Sequence, residues 1–324
     1  METSYASPRR SLLSEGQSVV VAAEPYSVPG TGVVTAQPVT AGTTASANRG
    51  CEWLSGYQGL FLRQHIELLE VIGGCETKNR YQITPISTPL PASLNSGWAQ
   101  EFREAAAYSP LLTAKEESDC CERVCCPMFR GFTMDFKDVQ GISYFRVERP
   151  FVCDPCYCQP CCSLYTQNLR IVDANGHLLG SATEVDHACG SECCARSFVA
   201  SDANGKPIYK LRASDCGTHD HHNCCAPSCL NEEYAVDVFE AGTGEWVGQS
   251  SWVWPGCNCG GLTDRSNMAT RFPAGSSDES RATLLAGLML VEYAVHEYKQ
   301  AQQKNNGGGG GGGGGAPPAQ QMVR

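Results

Sequence analysis

The sequence predicts a mainly β domain: a closed antiparallel barrel of about ten to twelve short strands around a buried hydrophobic C-terminal α-helix. Three observations lead there. Strand–turn–strand units recur along the middle of the chain, cysteine-rich connections alternate with them, and one short apolar helix follows the last unit.

Each unit carries its own signal. Phe132–Pro150 reads as strand, turn, strand. Leu164–Val185 repeats it around Asp173-Ala174-Asn175-Gly176, and Ser197–Ala213 around Asp202-Ala203-Asn204-Gly205. Asn-Gly between alternating apolar runs favours a hairpin, because a type I′ turn needs positive φ at both central positions. Glu233–Trp254 turns at Gly242 and Gly244. Leu60–Gly74 and Asn79–Pro85 form an earlier unit. Tyr234, Val236 and Val238 recur at every second position, as do Leu169 and Ile171, so one face of each strand is expected to be buried. Residues 95–118 interrupt the pattern and read as an inserted loop with a short surface helix over Trp98–Tyr108.

Ser280–Lys299 has no proline and many helix formers. Its uninterrupted apolar run, Ala282–Val291, is about half the roughly 20 residues needed to cross a bilayer. It is apolar nearly all round, as a helix enclosed by protein should be. Leu284, Leu285, Leu288, Met289 and Val291 are its expected core residues.

The ends differ from this middle. Residues 1–50 are rich in Ser, Thr, Ala and Gly, and residues 307–315 are nine glycines. Such segments bury too little apolar surface to offset ordering entropy, so both 1–50 and 301–324 are expected to be disordered around a domain at 51–300. The net charge of −10 and the lack of a basic run argue against nucleic acid as a partner. No apolar signal segment opens the chain, which points to a reducing compartment.

Twenty cysteines are many for such a compartment. They cluster between hairpins at 120–126, 153–162, 189–194, 216–229 and 257–259, so a closed sheet would gather them at its rims. Within 153–162, Cys153, Cys156, Cys158, Cys161 and Cys162 suit either lipid attachment or zinc, with disulfides behind both. Cys216, His219, His221, His222, Cys224, Cys225 and Cys229 offer more than the four ligands of a structural zinc site, at irregular spacing. Phe151, Tyr157 and Trp252–Trp254 add aromatic candidates for interfacial contact, although core packing is the commoner role. The nucleophile, metalloprotease and phosphate-loop patterns are absent, so no catalytic constellation is expected.

Several blocks, in order over Cys51–Lys299, resemble the phospholipid scramblases: Gln64–Ile83 (QHIELLEVIGGCETKNRYQI), Asp119–Asp138 (DCCERVCCPMFRGFTMDFKD), Val147–Cys162 (VERPFVCDPCYCQPCC), Leu262–Pro273 (LTDRSNMATRFP) and GLMLVEYAVHEYK. The resemblance implies a tubby-like barrel of twelve strands around a central helix. It also implies ATP-independent, bidirectional, calcium-stimulated movement of phospholipids between leaflets. It places the chain at the cytoplasmic face of the plasma membrane, with membrane phospholipids and possible protein partners, and with palmitoylation of Cys153–Cys162. A non-translocating lipid- or protein-binding barrel and a zinc-stabilised cysteine-rich structural protein are the alternatives.

The sequence departs from that family where calcium is concerned. Asp264, Ser266, Asn267 and Thr270 keep side-chain oxygens, but Gly275 stands where the bidentate carboxylate is needed. A weakened calcium response is expected. Gly244–Gly256 has no Lys or Arg, so no nuclear-import role carries over.

Overall fold

The computed structural model describes residues 50–65, 78–108, 110–125, 129–152, 166–185, 195–256 and 264–297. All lie within the compact unit Ser46–Arg324. Twelve antiparallel strands close into a barrel: β1 (Gly59–His65), β2 (Arg80–Ile86), β3 (Leu112–Glu117), β4 (Phe132–Lys137), β5 (Ser143–Arg149), β6 (Asn168–Asp173), β7 (Leu178–Val185), β8 (Ala195–Asp202), β9 (Pro207–Ser214), β10 (Glu233–Glu240), β11 (Trp246–Val253) and β12 (Asp264–Arg271). Each strand pairs with its sequence neighbours, and β12 returns to β1, with Leu62 opposite Met268. Closure leaves no unpaired edge. The hairpins turn where expected, but not through type I′ turns: of each Asn-Gly pair only the glycine has positive φ, 87° at Gly176 and 80° at Gly205, and a register shift beside each turn marks a glycine bulge.

Helix α3 (Asp278–Val291) runs up the barrel axis, and a π-helical turn, Glu292–Glu297, continues it. Ser277 caps its start by accepting from the backbone N–H of Ser280 at 3.2 Å. Leu284, Leu285, Leu288, Met289 and Val291 are buried in one core with inward residues of the strands, as the apolar run predicts. The helix lies close against β7–β9. A Cβ on Gly287 would stand 2.7 Å from Leu211 Cδ1 and 3.2 Å from Ala200 Cβ.

Two features differ from the sequence expectation. Residues 95–118 are not one inserted loop: α1 (Ser96–Tyr108) is followed by barrel strand β3. Helix α1 covers the outer side of the sheet, where Trp98 and Phe102 pack on Phe61, Val253 and Ala269. The predicted calcium segment is likewise a strand, β12, and not a loop.

Candidate functional site

Strand parity gives the barrel two unlike ends. Odd-numbered strands finish, and even-numbered strands begin, at one rim. The strands flanking all five cysteine clusters meet there; among the described residues, Cys120–Cys125 and the 216–229 cluster lie at this rim. The end of the axial helix reaches the same rim, and α2 (Cys120–Cys125) lies between β3 and β4.

Behind this rim the barrel holds charge. On β3, Leu112, Ala114 and Glu116 alternate inward; on β5, Phe145, Val147 and Arg149 do so. The inward phase therefore ends in a charged residue on both strands. Arg130 donates to Glu116 through Nε to Oε1 at 2.7 Å and Nη2 to Oε2 at 2.8 Å. Ser118 Oγ donates to Glu116 Oε1 at 2.6 Å. Burial works against the Glu116 charge, yet Arg130, with Ser118 and Arg123, outweighs it and holds the carboxyl below its ordinary value. Arg149 donates Nη2 to Gln167 Oε1 at 2.5 Å. The Arg130 and Arg149 guanidiniums stand 5.5 and 5.6 Å from the Tyr293 ring centre, close enough for cation–π attraction. The side chains thus tie the terminal turn of the axial helix to the cysteine rim.

A second buried group lies across the helix. Glu292 accepts from the Trp252 indole N–H and from Ser266 Oγ, the latter at 3.0 Å. The His296 ring stacks on Trp252 at 4.5 Å and meets Tyr234 edge-on at 4.9 Å. These contacts explain how Glu292 and His296 sit inside a barrel.

Of the candidate calcium residues, Ser266, Asn267 and Thr270 do not converge. On β12, Ser266 and Thr270 share the inner side with Met268; Ser266 serves Glu292, and Thr270 Oγ1 lies 2.8 Å from Ser250 Oγ. Asn267 falls on the opposite side with Ala269 and is fully buried. Asp264 opens the strand, and its side chain is outside those described. Calcium takes six to eight oxygens directed at one point, which a pleated strand does not supply. Ser266, Asn267 and Thr270 therefore do not point their oxygens at one centre.

The candidate zinc residues occupy the β9–β10 connection without forming a cluster. Among the described residues, no three His, Cys, Asp or Glu side chains gather as a metal site. The His219 ring stacks on Trp246 at 4.8 Å and contacts Asp220 at 2.8 Å, while His221 Nε2 lies 3.0 Å from Glu233 O. His222 contributes its carbonyl to Asn231. Cys216, Cys224, Cys225 and Cys229 are exposed thiols. Cys120 is disulfide-bonded, a use of cysteine that the sequence reading placed last. Cys153, Cys156, Cys158, Cys161 and Cys162 lie outside the described residues, as does Tyr157.

The surface of the two rims also differs. Phe151, Val185 and Leu230 are exposed apolar side chains on the cysteine rim, Leu230 at 84%. Trp252 is buried and cannot serve there. The opposite rim has Val139 and Ile142, and both rims carry carboxylates: Asp138, Asp202, Glu240, Glu245, Asp278 and Glu279 on that rim, and Asp119, Asp215 and Asp220 on the cysteine rim. Among the described residues, no helix is long and apolar enough to cross a membrane.

Arg130, Arg149, Glu116 and Glu292 are interior charges that the sequence expectations did not include. The inward phase of β3 and β5 was the available signal for Glu116 and Arg149. Glu292 and His296 had a signal too, as polar residues at the end of an otherwise apolar helix.

Comparison with known proteins gives this geometry a context. Residues 103–298 match the Scramblase family model. Human phospholipid scramblase 1 is 27% identical over 256 residues, 78% of this chain and 68% of its own length. Bovine phospholipid scramblase 2 is 28% identical over 253 residues, 78% of this chain and 73% of its own. Human phospholipid scramblase family member 5 is 26% identical over 259 residues, 80% of this chain and 81% of its own. No solved structure matches the chain significantly. With the family match spanning more than half its length and the twelve-strand barrel closed around its helix, the chain belongs to the scramblase family.

Proposed function

We propose that this protein is a peripheral phospholipid scramblase that works on a bilayer through its cysteine rim. The single observation that carries this reading beyond family membership is the contrast between the rims. Phe151, Val185 and Leu230 offer three apolar tips at the cysteine end, against Val139 and Ile142 at the other. Acyl chains on Cys153–Cys162 would add anchoring at the same end, each buried CH₂ contributing about 0.8 kcal/mol. The packed interior supports action on the bilayer from outside: among the described residues, α3 and the inward side chains of the strands form one continuous core. Movement of lipid would need no ATP and would run in both directions, as the bilayer gradient dictates. The activity is that of a translocator and not of a bond-making enzyme. The site faces the cytoplasmic leaflet of the plasma membrane, and calcium, if it acts, does so through groups other than Ser266, Asn267 and Thr270.

The filled barrel specifically favours one other reading, a lipid-binding module that moves no lipid. Vesicle binding tests what both share. The pair Phe151→Asp/Leu230→Asp should lower sedimentation with anionic vesicles by at least several-fold, whereas Val139→Asp/Ile142→Asp should not. Equal loss from both pairs would reject the rim assignment.

A further inference from the structure

The β9–β10 connection contains a feature that lipid binding does not use. Asn223–Ala226 is a tight turn, closed by the Ala226 N–H donating to Asn223 O at 2.9 Å. Its two corner residues are Cys224 and Cys225, both exposed, with their sulfurs 3.8 Å apart. Cys225 has a φ of 62°, which a residue with a side chain keeps only when its surroundings fix it.

Those surroundings are rigid. Asn223 is buried, and its amide bridges two barrel strands: Nδ2 donates to Ser214 O and to Ala235 O, both at 2.7 Å, and Oδ1 accepts from Ala235 N–H at 2.8 Å. Asn231 Nδ2 donates to His222 O at 2.6 Å and to Cys224 O at 3.1 Å. The turn is therefore held from both sides, and two thiols are held out at its corner.

We propose that Cys224 and Cys225 are a vicinal dithiol modification site that hydrogen peroxide closes to a disulfide and a dithiol reductant reopens. A disulfide needs its sulfurs about 2.05 Å apart, so rotation of the side chains at the corner closes the gap without moving the barrel. Adjacent Cα atoms across a trans peptide stand about 3.8 Å apart, below the usual disulfide range, so the ring would be strained and readily reduced. Strained, exposed disulfides are the labile ones.

The step balances. The Cys224 thiolate attacks one peroxide oxygen; an S–O bond forms, the O–O bond breaks, and the leaving oxygen takes a proton to become water. Cys225 sulfur then displaces the sulfenic oxygen; an S–S bond forms, the S–O bond breaks, and the Cys225 proton leaves with that oxygen as a second water. Two electrons pass from the two sulfurs to one peroxide.

Peptide mapping of the full chain tests this. The protein is treated with hydrogen peroxide, the remaining thiols are alkylated, and cleavage before Asp220 and Asp237 releases the peptide Asp220–Val236. The expected peptide is about 2 Da lighter across Cys224–Cys225, with Cys229 alkylated, and dithiothreitol restores two alkylatable thiols. Cys225→Ser should instead leave a sulfenic acid on Cys224 that dimedone traps several-fold more than in the parent. Alkylation of both Cys224 and Cys225 after treatment that oxidises other cysteines would overturn the proposal. So would pairing of either residue with Cys216 or Cys229. Neither outcome depends on lipid binding.

Discussion

Arg130 grips Glu116 with two parallel hydrogen bonds, Nε to Oε1 at 2.7 Å and Nη2 to Oε2 at 2.8 Å, where their side chains are 7% and 0% exposed. A buried pair is strong evidence of dependence and weak evidence of net stabilisation. Removing one partner strands the other charge at about 3–5 kcal/mol, whereas replacing both by apolar residues is often neutral. Arg130→Ala should therefore destabilise the protein by about 3–5 kcal/mol in denaturant unfolding. Arg130→Met with Glu116→Met should recover most of that loss. An Arg130→Ala change costing under about 1 kcal/mol would show that the pair is solvated and not buried.

The same carboxylate sets an acid limit. Its folded pKa lies below the ordinary value of 4.5, so folding is favoured by its ionised form. That contribution is fully present above 4.5 and is lost as pH falls through the lower folded value. Thermal midpoints followed from pH 7 downward should fall more steeply below about pH 4.5 for the parent than for the double Met variant. Parallel curves would remove Glu116 as the cause.

Glu292 is the interior acceptor for Trp252 and Ser266. Glu292→Ala leaves a buried indole N–H and a buried hydroxyl without that acceptor, and each such loss costs about 1–3 kcal/mol. Glu292→Gln keeps an acceptor oxygen and should cost less. Denaturation midpoints rank the two variants; equal midpoints would mean that the charge and not the acceptor matters.

Gly287 is where the axial helix touches the wall. Valine there adds three carbons against Leu211 and Ala200, which already stand 2.7 and 3.2 Å from a Cβ position. Overpacking of this kind costs about 1–3 kcal/mol, more than the better helix propensity returns. Gly287→Val should lower the unfolding midpoint, and Leu211→Ala should partly relieve it. A stabilised Gly287→Val would mean that α3 sits further from β9 than described.

Much of the barrel was legible because its hairpins use turn chemistry that reads locally, as Gly176 and Gly205 show. The axial helix was legible because all of Ala282–Val291 is apolar and buried, Thr283 and Gly287 excepted in polarity only. Strand β12 was not, since Ser266, Asn267 and Thr270 make it polar on both sides. Its burial is created by distant groups, Glu292 and Ser250 within the barrel and α1 outside it, which a local pattern does not contain. Strand β3 was hidden in the same way, because one of its three inward residues is Glu116. The cysteine clusters read as connections between strands, but that their flanking strands all meet at one rim follows from strand parity, which requires β3 to be counted. The Cys224–Cys225 corner was seen only as part of a metal set, since its turn depends on Asn223 reaching two strands.

Lipid movement itself is the most direct test. The purified full chain would be reconstituted into vesicles with a fluorescent phospholipid in both leaflets, and an added membrane-impermeant reductant would bleach the outer one. Without ATP, the account predicts bleaching beyond the outer-leaflet fraction and above protein-free vesicles, reduced by Phe151→Asp/Leu230→Asp. Bleaching that stops at the outer-leaflet fraction, with the protein bound to the vesicles, would contradict translocation and leave a binding module.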